Sequence, residues 1–236
     1  MSTTSINAYD NPDRANAYHQ KKGFDPARKE RMLEVALRLL QDLSSQGGQL
    51  LELGAGTGDF TKRIISLGPF SKLFITDGAE AMLDINRQEN AGPHHAFSLL
   101  DFSKSDWAND YPERFDAVAS SVAIHHLEHK QPFFEQVFEV LKPGGAFVFA
   151  DHMAGSSSVT QRLISLERAR AKLEVSASAE ELEQFILADE AAQAKEGNCC
   201  ESVEAYLQML KDARFGDVEC LWREFWLAVF VAKKPV

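Results

Sequence analysis

The chain has 236 residues, of which 44% are hydrophobic, and its formal net charge at pH 7 is −10. This length and apolar content predict one domain with a substantial core and room for a small appended subdomain. The negative charge argues against a surface for duplex nucleic acid, since such surfaces neutralise phosphates with Lys and Arg. No apolar run approaches the length of a membrane span, so no membrane partner is expected.

The cysteines and the first residues predict a cytoplasmic setting. Cys199, Cys200 and Cys220 are an odd number and include an adjacent pair, which rarely forms a disulfide. A vicinal pair can bind a soft metal, but no further thiol or histidine stands at metal-ligand spacing, so no metal site is predicted. Residues 1–5 lack the basic and apolar regions of a secretory signal.

The polar residues 1–25 leave two interpretations open. One is a loose arm. The other is a lid that closes over a bound ligand, with Tyr18 as a stacking or hydrogen-bonding residue. Pro26 can begin a helix, and apolar residues at helical spacing continue to Leu43, before a Gly-Gly pair at 47–48.

A glycine-rich loop follows the first predicted strand, residues 49–53. Gly54, Gly56 and Gly58 alternate with small residues, and a helix is predicted over 59–67. Strand, glycine loop and helix form the first unit of a nucleotide-binding α/β domain. The spacing G-x-G-x-G is shorter than the dinucleotide fingerprint. Acidic flanks at Glu52 and Asp59 suit a cationic ligand better than a phosphate.

The second predicted strand, residues 72–76, ends at Asp77, about twenty residues beyond the glycine loop. A carboxylate there can accept hydrogen bonds from both hydroxyls of a ribose. The alternative is that Asp77 caps a helix predicted over 79–88.

The middle of the chain continues the strand–helix alternation. A third strand ends within 97–100, a fourth spans 115–121, and a helix is predicted over 131–141. A tight turn, L-K-P-G-G, precedes a fifth strand at 146–150. Ligands in doubly wound sheets lie at the carboxyl ends of strands, so residues 121–126 and 151–152 should border the site.

Residues 153–200 interrupt this rhythm with two predicted helices, 156–174 and 179–196, and no strand between them. Such an insertion is where a substrate cap would lie, and a homodimer contact would also form there. The basic residues of the first helix are read either as a solvated face or as part of the site. A helix at 201–213 and strands at 217–222 and 225–232 close the chain, the two strands as an antiparallel pair.

The predicted fold class is therefore α/β: a doubly wound, mostly parallel seven-stranded sheet with an antiparallel C-terminal strand and a helical insertion after strand five. Residues 1–25 form the arm or lid, 26–152 and 201–236 the Rossmann-like ligand-binding domain, and 153–200 the helical cap.

The segment E-L-G-A-G-T-G resembles motif I of the class I S-adenosylmethionine (SAM) methyltransferases, and the later motifs of residues 50–151 follow in the order typical of that class. SAM carries a sulfonium and an ammonium but no phosphate, which agrees with the acidic flanks. In the class, Asp101 would accept the exocyclic amino proton of adenine, and Phe102 would cover the ring or donate its backbone N–H. The resemblance implies SAM as cofactor, bound by Glu52, Gly54, Ala55, Gly56, Asp77, Gly78, Met82, Asp101, Phe102, Ser121 and Tyr18.

The implied reaction is transfer of the SAM methyl group to a small molecule. A general base would come from His126, His125 or His152, because histidine titrates near neutral pH; alternatively, the His-His pair is only a helix-entry element. The C-terminal part resembles the carboxy-SAM synthase branch, linked to tRNA wobble-uridine modification, where Arg168 or Arg170 would meet an extra carboxylate. That branch lacks the His-His pair, which favours ordinary methyl transfer. A SAM-binding protein without turnover is the third hypothesis.

Overall fold

A seven-stranded sheet in the order β3-β2-β1-β4-β5-β7-β6 forms the centre of the computed structural model. The structure describes residues 6, 9–20, 23–44, 47–68, 70–111, 114–174 and 176–236. Neighbouring strands from β3 to β5 pair in parallel, and β7 is antiparallel to both β5 and β6. The strands are β1 (Gln49–Leu53), β2 (Lys72–Asp77), β3 (His95–Leu99), β4 (Phe115–Ser121), β5 (Leu141–His152), β6 (Val218–Glu224) and β7 (Leu227–Lys233).

Helices cover both faces of this sheet. Two short 3₁₀ turns, Trp107–Asp110 and Ile124–His126, lie on either side of β4 in the chain. The α-helices are α1 (Pro12–Gln20), α2 (Pro26–Leu43), α3 (Asp59–Ser66), α4 (Glu80–Asn90), α5 (Gln131–Val140), α6 (Ser158–Arg170), α7 (Ala179–Lys195) and α8 (Val203–Asp212).

The central strands are apolar on both faces because helices cover both faces. In β1, Leu50 packs into one hydrophobic cluster, and Leu51 and Leu53 pack into the other. Such strands appear in sequence as continuous apolar runs. Next to β5, β7 is buried along most of its length, with Phe149 and Phe230 stacked at 4.7 Å. The edge strand β6 alternates between half-buried and exposed residues.

The predicted fold class is confirmed, including the antiparallel C-terminal strand and the helical insertion after β5. One difference is the L-K-P-G-G turn, which lies inside a longer β5. Phe115 pairs with Leu141 but Ala117 with Ala146, so the turn bulges from the strand without ending it. The other difference is α1, which the sequence analysis did not predict. Only Ala15 of that helix is buried, so its sequence carries no clear apolar stripe.

Gly58, the last residue of the glycine loop, is fixed by crowding as well as by backbone conformation. Its φ is +96°, and a Cβ there would lie 2.4 Å from Asn90 Nδ2 and 2.5 Å from Asn86 Oδ1. Gly47 is also left-handed, with φ +75°, but a Cβ there would meet nothing within 4 Å. A substitution at Gly47 therefore introduces backbone strain alone, whereas one at Gly58 introduces backbone strain and a steric clash.

We expect Gly58→Ala to lower the free energy of unfolding by more than Gly47→Ala. The left-handed conformation costs about 1–2 kcal/mol in both variants, and overpacking adds about 1–3 kcal/mol at Gly58 alone. Urea denaturation of the two variants and the wild type measures the difference. An equal decrease in the free energy of unfolding in both variants would show that Asn86 and Asn90 move aside at no energetic cost.

Candidate active site

The glycine loop and the end of β2 together form a cleft at the carboxyl edge of the sheet. Asp77 is 3% exposed, and its carboxylate accepts hydrogen bonds from Gly56 N at 2.8 Å and Ala79 N at 2.9 Å. The first residue of α4 is Glu80, so Asp77 is not its N-cap. Its carboxylate instead links the glycine loop to the start of that helix.

A buried polar network under the loop fixes its backbone. Asn86 Nδ2 donates to Thr61 Oγ1 at 2.9 Å, and Asn90 Nδ2 donates to Asn86 Oδ1 at 2.9 Å and to Gly58 O at 3.4 Å. The sequence analysis missed these residues. Two asparagines four positions apart inside a helix are the signal that could have found them, because asparagine is a poor helix-interior residue without such partners.

Glu52 lies beneath the loop, outside the set of residues that line the cleft. It is 1% exposed and accepts a hydrogen bond from Thr61 Oγ1 at 2.7 Å. Burial raises the pKa of Glu52 to about 8 despite that hydrogen bond. The expected acidic flank is therefore wrong at this residue, which is neutral at pH 7. Asp59 and Asp77 supply the acidic side chains of the cleft.

The remaining predicted cofactor residues divide into two groups. Gly54, Ala55, Gly56, Met82, Ser121 and Tyr18 line the cleft with Asp77. Phe102 is 1% exposed and supports the loop from below, 3.3 Å from the position of a Cβ on Gly54, so its side chain does not cover a ligand. Asp101 accepts hydrogen bonds from Ser103. Gly78 lies against Ile6.

The three predicted histidines form a stack at the ends of β4 and β5. The ring of His125 lies 4.1 Å from that of His126 and 4.6 Å from that of His152. Burial, with His125 as a neighbour, lowers the pKa of both His126 and His152 to about 3, so both are neutral at pH 7. His126 lines the cleft as well as the adjoining chamber, and its buried Nδ1 has no hydrogen-bond partner among the described residues.

His125 differs from its neighbours because a buried carboxylate holds it. His125 Nδ1 lies 2.5 Å from Asp151 Oδ1, and its backbone N–H donates to Asp151 Oδ2 at 2.8 Å. Although burial alone would raise the pKa of Asp151, His125 holds that pKa below its ordinary value. Asp151 is therefore an anion that orients His125, with Nδ1–H donating and Nε2 left as the proton acceptor.

Val122 occupies a strained backbone position between β4 and the histidine turn. Its φ is +55°, although its side chain is β-branched. Such outliers persist only where the surroundings fix them, and they cluster at functional sites. The N–H of Val122 donates to Ala150 O at 2.8 Å, and Val122 lines both cavities.

A second cavity of about 460 Å³, here called the chamber, adjoins the cleft. This volume is in the range of small-molecule sites. The insertion helices α6 and α7 supply one wall and Phe24 and Trp226 another, while His125, His126 and His152 line the side nearest the sheet. The chamber and the cleft share Tyr9, Tyr18, Lys29, Val122 and His126, so the two cavities lie side by side.

The cap is fastened to the histidine turn by backbone contacts. Cys199 N donates to His125 O at 2.7 Å. The buried Lys130 Nζ donates to Leu127 O at 2.6 Å and to Cys199 O at 2.5 Å. Sequence reasoning missed Lys130, because nothing in the local pattern marks a buried lysine that joins two loops.

Comparisons with known proteins agree with this geometry. Residues 51–147 match the family model for a methyltransferase domain. An uncharacterized methyltransferase of Oceanobacillus iheyensis is 30% identical over 178 residues, which cover 73% of this chain and 78% of the relative. The chain belongs to the class I SAM-dependent methyltransferases.

Other methyltransferases resemble it over part of their length or at low identity. The ubiquinone/menaquinone biosynthesis C-methyltransferase of Burkholderia mallei is 32% identical over 102 residues, covering 42% of this chain and 41% of that enzyme. The structure of human N-acetylserotonin methyltransferase in complex with SAM superposes with a TM-score of 0.61 at 16% identity, covering 100% of this chain and 60% of that one. Membership of the class I SAM-dependent methyltransferases makes SAM the methyl donor of this chain.

The described residues contain neither a candidate membrane-spanning helix nor a metal-binding cluster. Within the described ranges, no helix combines the length and apolar character needed to cross a membrane. Nor do the described residues bring three or more His, Cys, Asp or Glu side chains together to hold a metal ion.

We expect Glu52→Gln to remove a pH dependence of stability. In the unfolded chain this carboxyl has its ordinary pKa of 4.5, and in the fold about 8. The stability linked to this proton is therefore fully present below pH 4.5 and is lost as pH rises through 8. The free energy of unfolding of Glu52→Gln minus that of wild type should therefore increase by about 3–5 kcal/mol between pH 5 and pH 9.

Urea denaturation at both pH values measures this gain. Glu34→Gln, which removes a carboxyl at an exposed position of α2, is the control and should show no such gain. A parallel pH profile for Glu52→Gln and wild type would mean that Glu52 is ionised in the fold.

Proposed function

We propose that this enzyme transfers the methyl group of SAM to a small molecule in the chamber, and that His125 removes a proton from that acceptor. The observation that carries the proposal is the pairing of His125 with the buried anion Asp151 on a wall of the chamber, next to the glycine-loop cleft.

The residues of the cleft fit SAM. Gly56 has φ +54° and only Met82 Cε within 4 Å of a Cβ position, so its backbone is open to a ligand. A carboxylate has about four acceptor sites, and Asp77 uses two of them for Gly56 and Ala79, which leaves capacity for a ribose diol. Asp59 and Asp77 place acidic oxygens in the cleft, Asp59 with Lys29 and Arg63 as ion-pair partners, while Tyr18, Met82 and Ser121 complete the walls.

When bound, SAM supplies a methyl carbon already activated by the sulfonium. The protein's contribution is therefore mainly orientation, which can equal an effective concentration of about 10⁵–10⁸ M. Val122 and His126 line both cavities, so they stand where the acceptor and the cofactor cleft meet.

Among the three histidines, His125 is best suited to accept a proton. A positive charge on its ring would be stabilised by Asp151, whereas His126 and His152, with pKa values lowered to about 3, resist protonation. A positioned base contributes about 10²–10⁴-fold when the acceptor must lose a proton. An O–H or an acidic C–H acceptor fits this arrangement, and the quinone-biosynthesis C-methyltransferase of Burkholderia mallei is a relative that methylates carbon.

We also assign the N-terminal arm the role of a lid. With Tyr9 and Tyr18 over it, the cleft has a volume of about 80 Å³, below the roughly 300–1,000 Å³ typical of small-molecule sites. The described part of the arm is held to α4 by Asp10, which accepts from Ala81 N at 3.2 Å, and by His19, 3.0 Å from Glu89. These polar contacts are exposed and weak, and the buried Ala15 packs with Ala79 and Met82, so opening the arm to admit SAM would break both kinds of contact.

Ordinary methyl transfer is favoured over the carboxy-SAM synthase activity. Arg168 lines the chamber, but its Nε and Nη2 donate to the two carboxylate oxygens of Asp189, so its charge is already paired. Arg170 is exposed and is not part of the chamber wall. An extra carboxylate on the cofactor would therefore meet a guanidinium whose charge Asp189 already balances.

We expect Asp77→Ala to weaken SAM binding by about 100-fold, because two hydrogen bonds to a charged group are lost at about 1.5 kcal/mol each. Isothermal titration calorimetry measures the change. Asp84→Ala removes an exposed carboxylate of α4 that pairs with Arg87 and should leave the affinity unchanged. Wild-type affinity in Asp77→Ala would remove this residue from the ribose site.

We expect His125→Asn and Asp151→Asn to lower methyl transfer by about 10²–10⁴-fold, while SAM affinity stays within about threefold of wild type. Release of S-adenosylhomocysteine is followed with the best acceptor from a screen of small O–H and C–H acids. His126→Asn, which keeps a neutral polar side chain, should lose much less. If His126→Asn were the most impaired variant, the base would be His126.

A further inference from the structure

The chamber contains two groups that commonly recognise a charged small molecule: a buried guanidinium and aromatic rings. Both are already occupied by other side chains of the chain itself.

The guanidinium of Arg168 is neutralised within the cap. Its Nε and Nη2 donate to the two carboxylate oxygens of Asp189 at 2.7 and 2.8 Å, with side chains only 9% and 14% exposed. This is the bidentate geometry with which arginine binds a carboxylate ligand. An anionic acceptor would therefore meet a guanidinium whose charge is already balanced in a largely desolvated ion pair.

Cations of the protein already lie over the aromatic walls. The guanidinium of Arg168 lies 4.2 Å from the ring centre of Phe24, and Lys172 Nζ lies 4.6 Å from the same ring. Arg28 covers Trp226 at 4.2 Å, with Arg168 at 5.2 Å. A cationic acceptor would have to compete with these groups for the ring faces.

The remaining charges of the chamber are balanced. Its lining includes three basic and three acidic side chains. Lys29 is paired with Asp59 at 2.8 Å, and Asp25 accepts the first-turn N–H of Arg28 at 3.1 Å. Lys172 and Glu196, the two that complete the set, have opposite charges. The formal charges of the lining side chains therefore cancel.

We propose that the chamber selects an uncharged acceptor and rejects anionic and cationic ones, with Arg168 and Asp189 as the specificity-determining pair. This inference rests on the proposed function, since it assigns the chamber to the methyl acceptor. The charged groups of the chamber already pair with one another. A charged ligand that replaces one partner leaves the other protein charge unpaired, and this energetic cost disfavours charged ligands.

Three para-substituted phenols with neutral, anionic and cationic side chains test the proposal: 4-ethylphenol, 4-hydroxyphenylacetate and tyramine. Each is titrated by calorimetry into the full chain saturated with S-adenosylhomocysteine. We expect 4-ethylphenol to bind at least tenfold more tightly than either charged phenol. Equal or tighter binding of a charged phenol, or no binding of 4-ethylphenol at millimolar concentration, would overturn the proposal.

Exchanging one member of the pair should reverse the selection. Asp189→Asn frees Arg168 and should raise the affinity for 4-hydroxyphenylacetate at least tenfold. Arg168→Gln frees Asp189 and should do the same for tyramine. Arg162→Gln and Glu183→Gln, which break an exposed ion pair between the same two helices, are the matched controls and should change neither affinity.

The wild-type comparison needs no variant, so the test survives if an unpaired charge prevents either chamber variant from folding. SAM binding by the wild type is measured in parallel. Loss of that binding would contradict the proposed function, whereas charge-independent phenol binding by a SAM-competent protein would contradict this inference alone.

Discussion

The buried pair of Asp151 and His125 is the interaction on which the active site depends. Asp151 has no solvent exposure, yet its carboxylate accepts from the side chain and backbone of His125 and from the backbone of His152. An isolated buried carboxylate would be too costly to keep ionised. Here three donors stabilise it, and in return it fixes the turn after β4 against the end of β5. The position of the proposed base is thus set by the sheet itself.

The cofactor cleft also contains buried carboxyl groups that depend on hydrogen-bond donors. Asp77 is also nearly buried and is held by backbone donors of the glycine loop and of α4. Glu52 has a single donor, Thr61, so burial outweighs hydrogen bonding and the group is neutral at pH 7. Burial also raises the pKa of Asp77 despite its backbone donors, whereas the imidazole of His125 lowers the pKa of Asp151. At this edge, a partner that can carry positive charge therefore favours an ionised carboxyl more than neutral donors do.

Sequence patterns predicted the fold well because the central strands are continuous apolar runs and the glycine loop has one structural meaning. The placement of Asp77 and of the three histidines at one sheet edge followed from the rule for carboxyl ends. The protonation of Glu52 and the core position of Phe102 could not be predicted in this way, because both depend on burial by elements that are distant in sequence. The same holds for the pairing of Arg168 with Asp189, which lie 21 residues apart on separate helices.

The helical cap is linked directly to the turn that carries the proposed base. The N–H of Cys199 and the ammonium of Lys130 fasten the segment after α7 to the turn that carries His125 and His126. Lys130 is only 3% exposed, so solvent has little access to these contacts, and burial lowers its pKa. A cap movement that opened the chamber from this side would pull on the proposed base. The arm also reaches the histidines, because the ring of Tyr9 lies 6.2 Å from that of His126. The proposed lid and the histidine turn are therefore in contact.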